Sequence, residues 1–207
     1  MGRNLIPALL KRGHEVRALA RPGSESKVPE GCTVVTGNPF DRESFAAQTG
    51  ASDTFIQLVG VAHPSPAKAK EFRTVDLKSA LESVAVAARA GVRHFIYVSV
   101  AQPAPIMKAY LEARAEAEAV IRASGLNATI LRPWYVLGPG RQWPRLIQPI
   151  YWILERIPQK RETAQRLGLV SSQEMMSALC WAVENPSEGV RILSVPDIKA
   201  ARLNQTS

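Results

Sequence analysis

The sequence predicts an α/β fold, a doubly wound and mostly parallel sheet with helices on both faces, built by residues 1–207 as one domain. Three observations predict it. Apolar stretches of strand length alternate with one-faced helical stretches along most of the chain, the order expected of a parallel sheet. Phe95-Ile96-Tyr97-Val98 is too continuously apolar for a half-exposed strand, so both faces of its sheet are covered. Finally, 207 residues that are 46% hydrophobic, 21% charged and contain two cysteines supply one sizeable core, which excludes a disulfide miniprotein or a disordered tail.

Leu5, Ile6, Leu9 and Leu10 fall at helical spacing and Gly13 stops the pattern, so residues 3–12 read as a short amphipathic helix. Residues 15–20 form the next strand, after which Arg21-Pro22-Gly23-Ser24 turns the chain into a charged loop. Residues 33–36 are a second strand. Asp41 is placed to cap a helix reaching about Gln48, and residues 53–60 are a third apolar run of strand length. A long helix over about 67–90 ends at Gly91, and residues 94–99 are the next strand. Residues 106–124, rich in alanine and glutamate, form another helix, closed by Gly125, and residues 128–131 a strand that ends at Arg132-Pro133. Beyond Pro139-Gly140 the alternation breaks. Residues 141–170 read as an insertion over the ligand edge, a substrate lid or an interface, before residues 172–184 and 190–195 restore one helix and one strand.

The charge balance, 26 basic against 18 acidic residues, gives +8 and favours anionic partners. The basic residues between Arg141 and Arg166 read as a solvated face, because no aromatic platform or nucleic-acid motif accompanies them, and no nucleic-acid partner is expected. No apolar run reaches the roughly 18 residues of a membrane helix. The first residues lack a signal-peptide core, so a reducing cytoplasm is the expected compartment. Residues 146–154, apolar and flanked by arginines, fit a peripheral membrane contact, a lid or a homodimer patch. His14, His63 and His94 are far apart and Cys32 and Cys180 form no paired motif, so no metal is expected. A hydrolase Gly-x-Ser-x-Gly elbow and a Walker phosphate loop are both absent from the sequence.

Several strings occur in a telling order: Gly13-His14-Glu15-Val16, then Asp53-Thr54-Phe55-Ile56-Gln57-Leu58-Val59-Gly60, then Gly91-Val92-Arg93-His94-Phe95-Ile96-Tyr97-Val98-Ser99. Ser124-Gly125-Leu126-Asn127-Ala128-Thr129-Ile130-Leu131-Arg132-Pro133 and Leu137-Gly138-Pro139-Gly140 follow. Together they resemble the atypical and extended branches of the short-chain dehydrogenase/reductase superfamily, whose members are epimerase- or dehydratase-like and bind NAD(P) on a Rossmann-like sheet. The resemblance runs from Gly2 to about Pro196. It implies an oxidoreductase-like protein acting on a small carbonyl, alcohol or sugar-related substrate. Its alternative is a relative without catalysis that senses the cofactor or serves in assembly.

The resemblance also implies a first strand and a glycine-rich turn, of which only the last glycine, Gly2, is present in the sequence. The expectation is therefore a chain truncated at its N-terminus by roughly a dozen residues, lacking a strand between residues 15–20 and 53–59. Arg21, 19 positions after Gly2, stands where the family reads the adenosine ribose, and an arginine there favours the 2′-phosphate of NADP, with NAD possible. Asn38 is expected near the adenine, Val59 and Gly60 along the cofactor, and Pro133 and Val136 near the nicotinamide. Tyr110 and Arg114, four residues apart and so on one helical face, match the family's tyrosine–lysine pair, with arginine in place of lysine, and Ser99 matches its serine. Trp134, Tyr135, Arg141 and Trp143 are the expected substrate contacts. Outside the resemblance, Tyr110 reads equally as a packing aromatic, and Trp143, with Trp152, reads rather as a core or interface aromatic of the insertion.

Overall fold

The computed structural model describes residues 1–50, 52–62, 64–104, 107–137 and 167–201. Helix α1 (Gly2–Leu10) leads to strand β1 (Arg17–Ala20), and a short 3-10 turn precedes β2 (Thr33–Thr36). Asp41 caps as expected, accepting from the Glu43 amide, but what it starts is a 3-10 turn (Arg42–Ser44) followed by the single-turn helix α2 (Ala46–Thr49). After β3 (Thr54–Gln57), the long helix expected over 67–90 is present and runs without a gap through four consecutive segments. These are a 3-10 turn (Pro66–Lys68), α3 (Ala69–Glu71), a π turn (Phe72–Leu77) and α4 (Lys78–Arg89). Strand β4 (His94–Val98), helix α5 (Lys108–Ala123) and strand β5 (Ala128–Leu131) fall where the sequence predicts them. β6 (Tyr135–Leu137) and β7 (Leu169–Ser171) follow, then α6 (Ser172–Glu184), β8 (Val190–Leu193) and α7 (Val195–Ala200).

Among the described residues every strand pair is parallel. β3, β4, β5 and β8 form one sheet in that order, β1 pairs with β2, and β6 with β7. β1 and β3 thus belong to separate sheets.

Period-2 alternation divides the core between the two faces of the central sheet. Phe95, Tyr97, Ala128 and Ile130 pack with Phe72, Val84 and Ile121, the side covered by α4 and α5. Ile96 and Leu131 pack with Leu5, Leu9, Met175, Leu179 and Ile198, the side covered by α1, α6 and α7. The buried run Phe95-Ile96-Tyr97 has no measurable exposure, the reason its sequence does not alternate. Each such side chain contributes about 1.5–3 kcal/mol of transfer free energy. Because the strands of one sheet are parallel, their carboxyl ends share one edge, and the segments after β3, β4 and β5 meet there.

Candidate functional site

Tyr110 and Arg114 lie one turn apart on α5, and the guanidinium carbon of Arg114 is 5.1 Å from the Tyr110 ring centroid. The same carbon is 5.5 Å from the ring of Tyr97 on β4. The expected pairing of a phenol with a cation is therefore present, but the cation is deeply held. Arg114 is 7% exposed. One of its terminal nitrogens donates to the Tyr97 hydroxyl at 3.1 Å and to the Val98 carbonyl at 2.8 Å, and the other donates to Asp76. Asp76 sits on the π turn and also accepts the Val61 amide at 3.1 Å. The glycine after β3 is explained by this cluster: a Cβ on Gly60 would lie 2.5 Å from Arg114 and 3.0 Å from Asp76.

Burial sets the protonation of the cluster. It pushes the Tyr97 hydroxyl up to about 12 and raises Tyr110 as well, in each case against the opposing pull of Arg114. Burial works to lower the Arg114 guanidinium, but Tyr97, Tyr110 and Asp76 outweigh it and raise it. At neutral pH the phenol of Tyr110 thus carries its proton. The Tyr110 ring is tilted against Phe72 at 4.9 Å, and both line a cavity of about 140 Å³ with Pro66, Met107, Lys108 and Ala109. That volume accommodates a group the size of a small ring.

Ser99 follows β4 on the same edge, and its hydroxyl donates to Glu118 at 2.6 Å. Glu118, 3% exposed, also accepts from Gln102 at 2.9 Å and from both ends of the Arg132 fork. This carboxylate joins the segments after β4 and β5 to α5. Pro133 is buried and its carbonyl accepts the Ala101 amide at 2.9 Å. Trp134 and Val136 pack, half-buried, on the core beneath α1 and α6, and Tyr135 opens β6. Arg141 and Trp143, and the stretch 146–154, lie outside the described residues.

Arg21 and Asn38 come directly after β1 and β2, so both stand at the carboxyl edge of the two-stranded sheet, and both are exposed. The Asn38 side-chain oxygen accepts the Phe40 amide at 3.0 Å. Gly2 is the first residue of α1, where no side chain caps the helix and no acid stands in the first turn. An added Cβ there would meet only Leu58, at 4.0 Å, so the helix start lies beside the segment that leaves β3 and keeps open space. Val59 donates its amide to the Gln57 side chain at 3.2 Å. The structure thus brings together Tyr110, Arg114 and Gly60 in one cluster, and Arg21 with Asn38 on one edge. It sets Ser99 and Trp134 in other surroundings.

The sequence reading missed Asp76, Tyr97 and Glu118. Asp76 gives no local signal, being 38 residues from its partner. Glu118 gives a faint one, since Arg114 and Glu118 stand four residues apart on the face of α5 whose alanines enter the core. Among the described residues no cluster of three or more His, Cys, Asp or Glu side chains suits a metal ion, and no helix is long and apolar enough to cross a membrane.

Compared with known proteins, residues 1–144 match the family described as NAD(P)H-binding. The chain belongs to that family. It is 30% identical over 105 residues to a 3-beta-hydroxysteroid dehydrogenase of Mycolicibacterium neoaurum, covering 48% of this chain and 29% of that protein. The chain therefore matches less than a third of that relative's length. In fold it is similar to the Bordetella bronchiseptica enzyme WbmH in complex with NAD+, with a TM-score of 0.66 at 17% identity, covering 98% of this chain and 77% of the other. It is likewise similar to the UDP-glucose 4-epimerase of Thermus thermophilus in complex with NAD, with a TM-score of 0.66 at 15% identity over 96% and 78% of the two chains. Membership of the NAD(P)H-binding family and a Rossmann-like α/β fold are thereby established for this chain.

Proposed function

We propose that the protein binds NADP in preference to NAD and reduces a small carbonyl compound or a sugar-related substrate, with Tyr110 as the proton donor. The observation that carries this reading is the protonated, half-buried phenol of Tyr110 beside the Arg114 cation, on the wall of a small cavity. The dinucleotide, when bound, supplies the hydride. The uncapped start of α1 at Gly2 offers backbone N–H groups to a phosphate. Arg21, exposed at the end of β1, offers a planar fork to the 2′-phosphate, and Asn38 beside it offers its amide to the adenine. Val59 and Gly60 are assigned to the cofactor's path, and Pro133 and Val136 to its nicotinamide end. Ser99 acts through Glu118, fixing the segment after β4, and Trp134, Tyr135, Arg141 and Trp143 bound the substrate side.

Burial keeps the Tyr110 phenol in its protonated form at neutral pH, the form that donates in carbonyl reduction. As a carbonyl carbon takes up hydride, its oxygen gains electron density and accepts the Tyr110 proton. The resulting phenolate is stabilised by the guanidinium one turn away. The test is NADPH consumption with a panel of small ketones, aldehydes and keto-sugars. Tyr110→Phe is expected to lower turnover by about 10²–10⁴-fold with NADPH affinity unchanged. Equal activity in that variant overturns the role of Tyr110.

One observation favours the second reading, a cofactor-binding relative without turnover. The guanidinium of Arg114 is committed to Asp76, Tyr97 and Val98, which leaves it little capacity for a ribose. NADPH binding with no turnover on any of the panel, in wild type and Tyr110→Phe alike, is the result that reading expects.

A further inference from the structure

We propose that Asp76 is a positioning residue of this site: its carboxylate holds the Arg114 guanidinium between β4 and the Tyr110 ring, so that the cation serves the phenol rather than a ligand. The inference deepens the proposed function and rests on its assignment of Tyr110 as the proton donor.

The geometry is that of a clamp. Asp76 is 1% exposed and divides its two oxygens, Oδ1 taking the Arg114 fork and Oδ2 the Val61 amide at 3.1 Å. Arg114 carries the connection onward to the Val98 carbonyl at 2.8 Å. The carboxyl ends of β3 and β4, neighbours in the sheet, are thus tied by one ion pair from outside the sheet. The Arg114 Nε is buried with no partner among the described residues, so the fork is held by its terminal nitrogens. Among those residues Asp76 is the one carboxylate that meets it. Without that charge the guanidinium would stay buried and uncompensated, a costly state that an arginine escapes by swinging its long side chain toward water. Arg114 would then leave the Tyr110 ring.

The π turn makes the arrangement possible. A wider turn shifts the residues after it around the helix axis, and here Phe72, Asp76 and Leu77 are all buried within Phe72–Leu77. Phe72 supports one face of Tyr110 while Asp76 anchors the cation near it. Gly60 completes the fit, since any Cβ there would collide with both members of the pair.

The test places a single difluorotyrosine at position 110, whose phenol titrates nearer neutral pH, and follows it by ¹⁹F NMR. The charged and titratable groups facing that phenol are Arg114 on α5, Asp76 on the π turn and Tyr97 on β4. Asp76 acting only through its own negative charge raises the phenol, so Asp76→Asn would then lower the titration point. A clamp predicts the opposite sign: Asp76→Asn releases Arg114 and raises the titration point by about one pH unit or more. Arg114→Met raises it similarly, and the double variant goes no further than either. A downward shift or no shift in Asp76→Asn overturns the proposal. If Asp76→Asn does not fold, Asp76→Ser, which keeps an oxygen for the Val61 amide, is read with the same signs. The titration needs no turnover, so an inactive wild type overturns the proposed reduction and leaves this result to be read on its own.

Discussion

The missing side chain of Gly60 leaves room for the Arg114 guanidinium, and the atoms in the way of a Cβ there are held by several partners and cannot shift freely. Gly60→Ala is therefore expected to cost about 1–3 kcal/mol of stability. In an Arg114→Met background the same substitution should cost markedly less, a coupling read from denaturation midpoints in a double-mutant cycle. Equal costs in both backgrounds would mean that the guanidinium does not set the constraint. None of this is visible in the sequence, where Gly60 reads as a cofactor contact. Arg114 shows the same limit from the other side. Its four-residue spacing from Tyr110 puts the two on one face of α5, as found. Its ties to Asp76 and Val98 are long-range pairings that no local pattern encodes.

At the scale of elements, α6 is legible to the residue because its signals are local. Ser171 and Glu174 form a capping box, and Asn185-Pro186 ends the pattern. The helix before β4 is legible only in outline. Its π turn keeps apolar residues at nearly helical spacing, so periodicity does not reveal it, although it carries Asp76. β6, β7 and α7 are not foreseen, each being too short to show a period. The central strand β4 carries a pH dependence of its own. His94 is 1% exposed with its Nε2 2.9 Å from the Thr129 hydroxyl, and burial, with Arg191 nearby, lowers it from 6.5 to about 4. Above pH 6.5 the ring is neutral in both the folded and unfolded chain and contributes no slope. Below it the unfolded chain takes up a proton that the folded one refuses, so stability falls as pH drops toward about 4, by about 3 kcal/mol in all. Urea unfolding at a series of pH values measures this slope. His94→Gln should flatten it, and an unchanged slope would assign the effect to other groups.

Over the whole molecule, the alternation of strands and helices is enough to give the parallel sheet and its two covered faces, because each face of β4 and β5 needs its own layer of helices. The same alternation does not show that β1–β2 and β3–β4–β5–β8 form separate sheets, since pairing is decided between distant segments. The candidate site divides along similar lines. Tyr110, Arg114 and Gly60 converge at the edge of the larger sheet, and Arg21 with Asn38 stands at the edge of the smaller one. A dinucleotide in the proposed reading engages both edges, with Arg21 deciding between NADP and NAD. Calorimetric titration of NADPH and NADH into the chain tests that claim most directly. Saturable NADPH binding at least about tenfold tighter than NADH binding is expected, with the difference lost in Arg21→Ala. Absence of binding by either dinucleotide, or tighter binding of NADH, would contradict it.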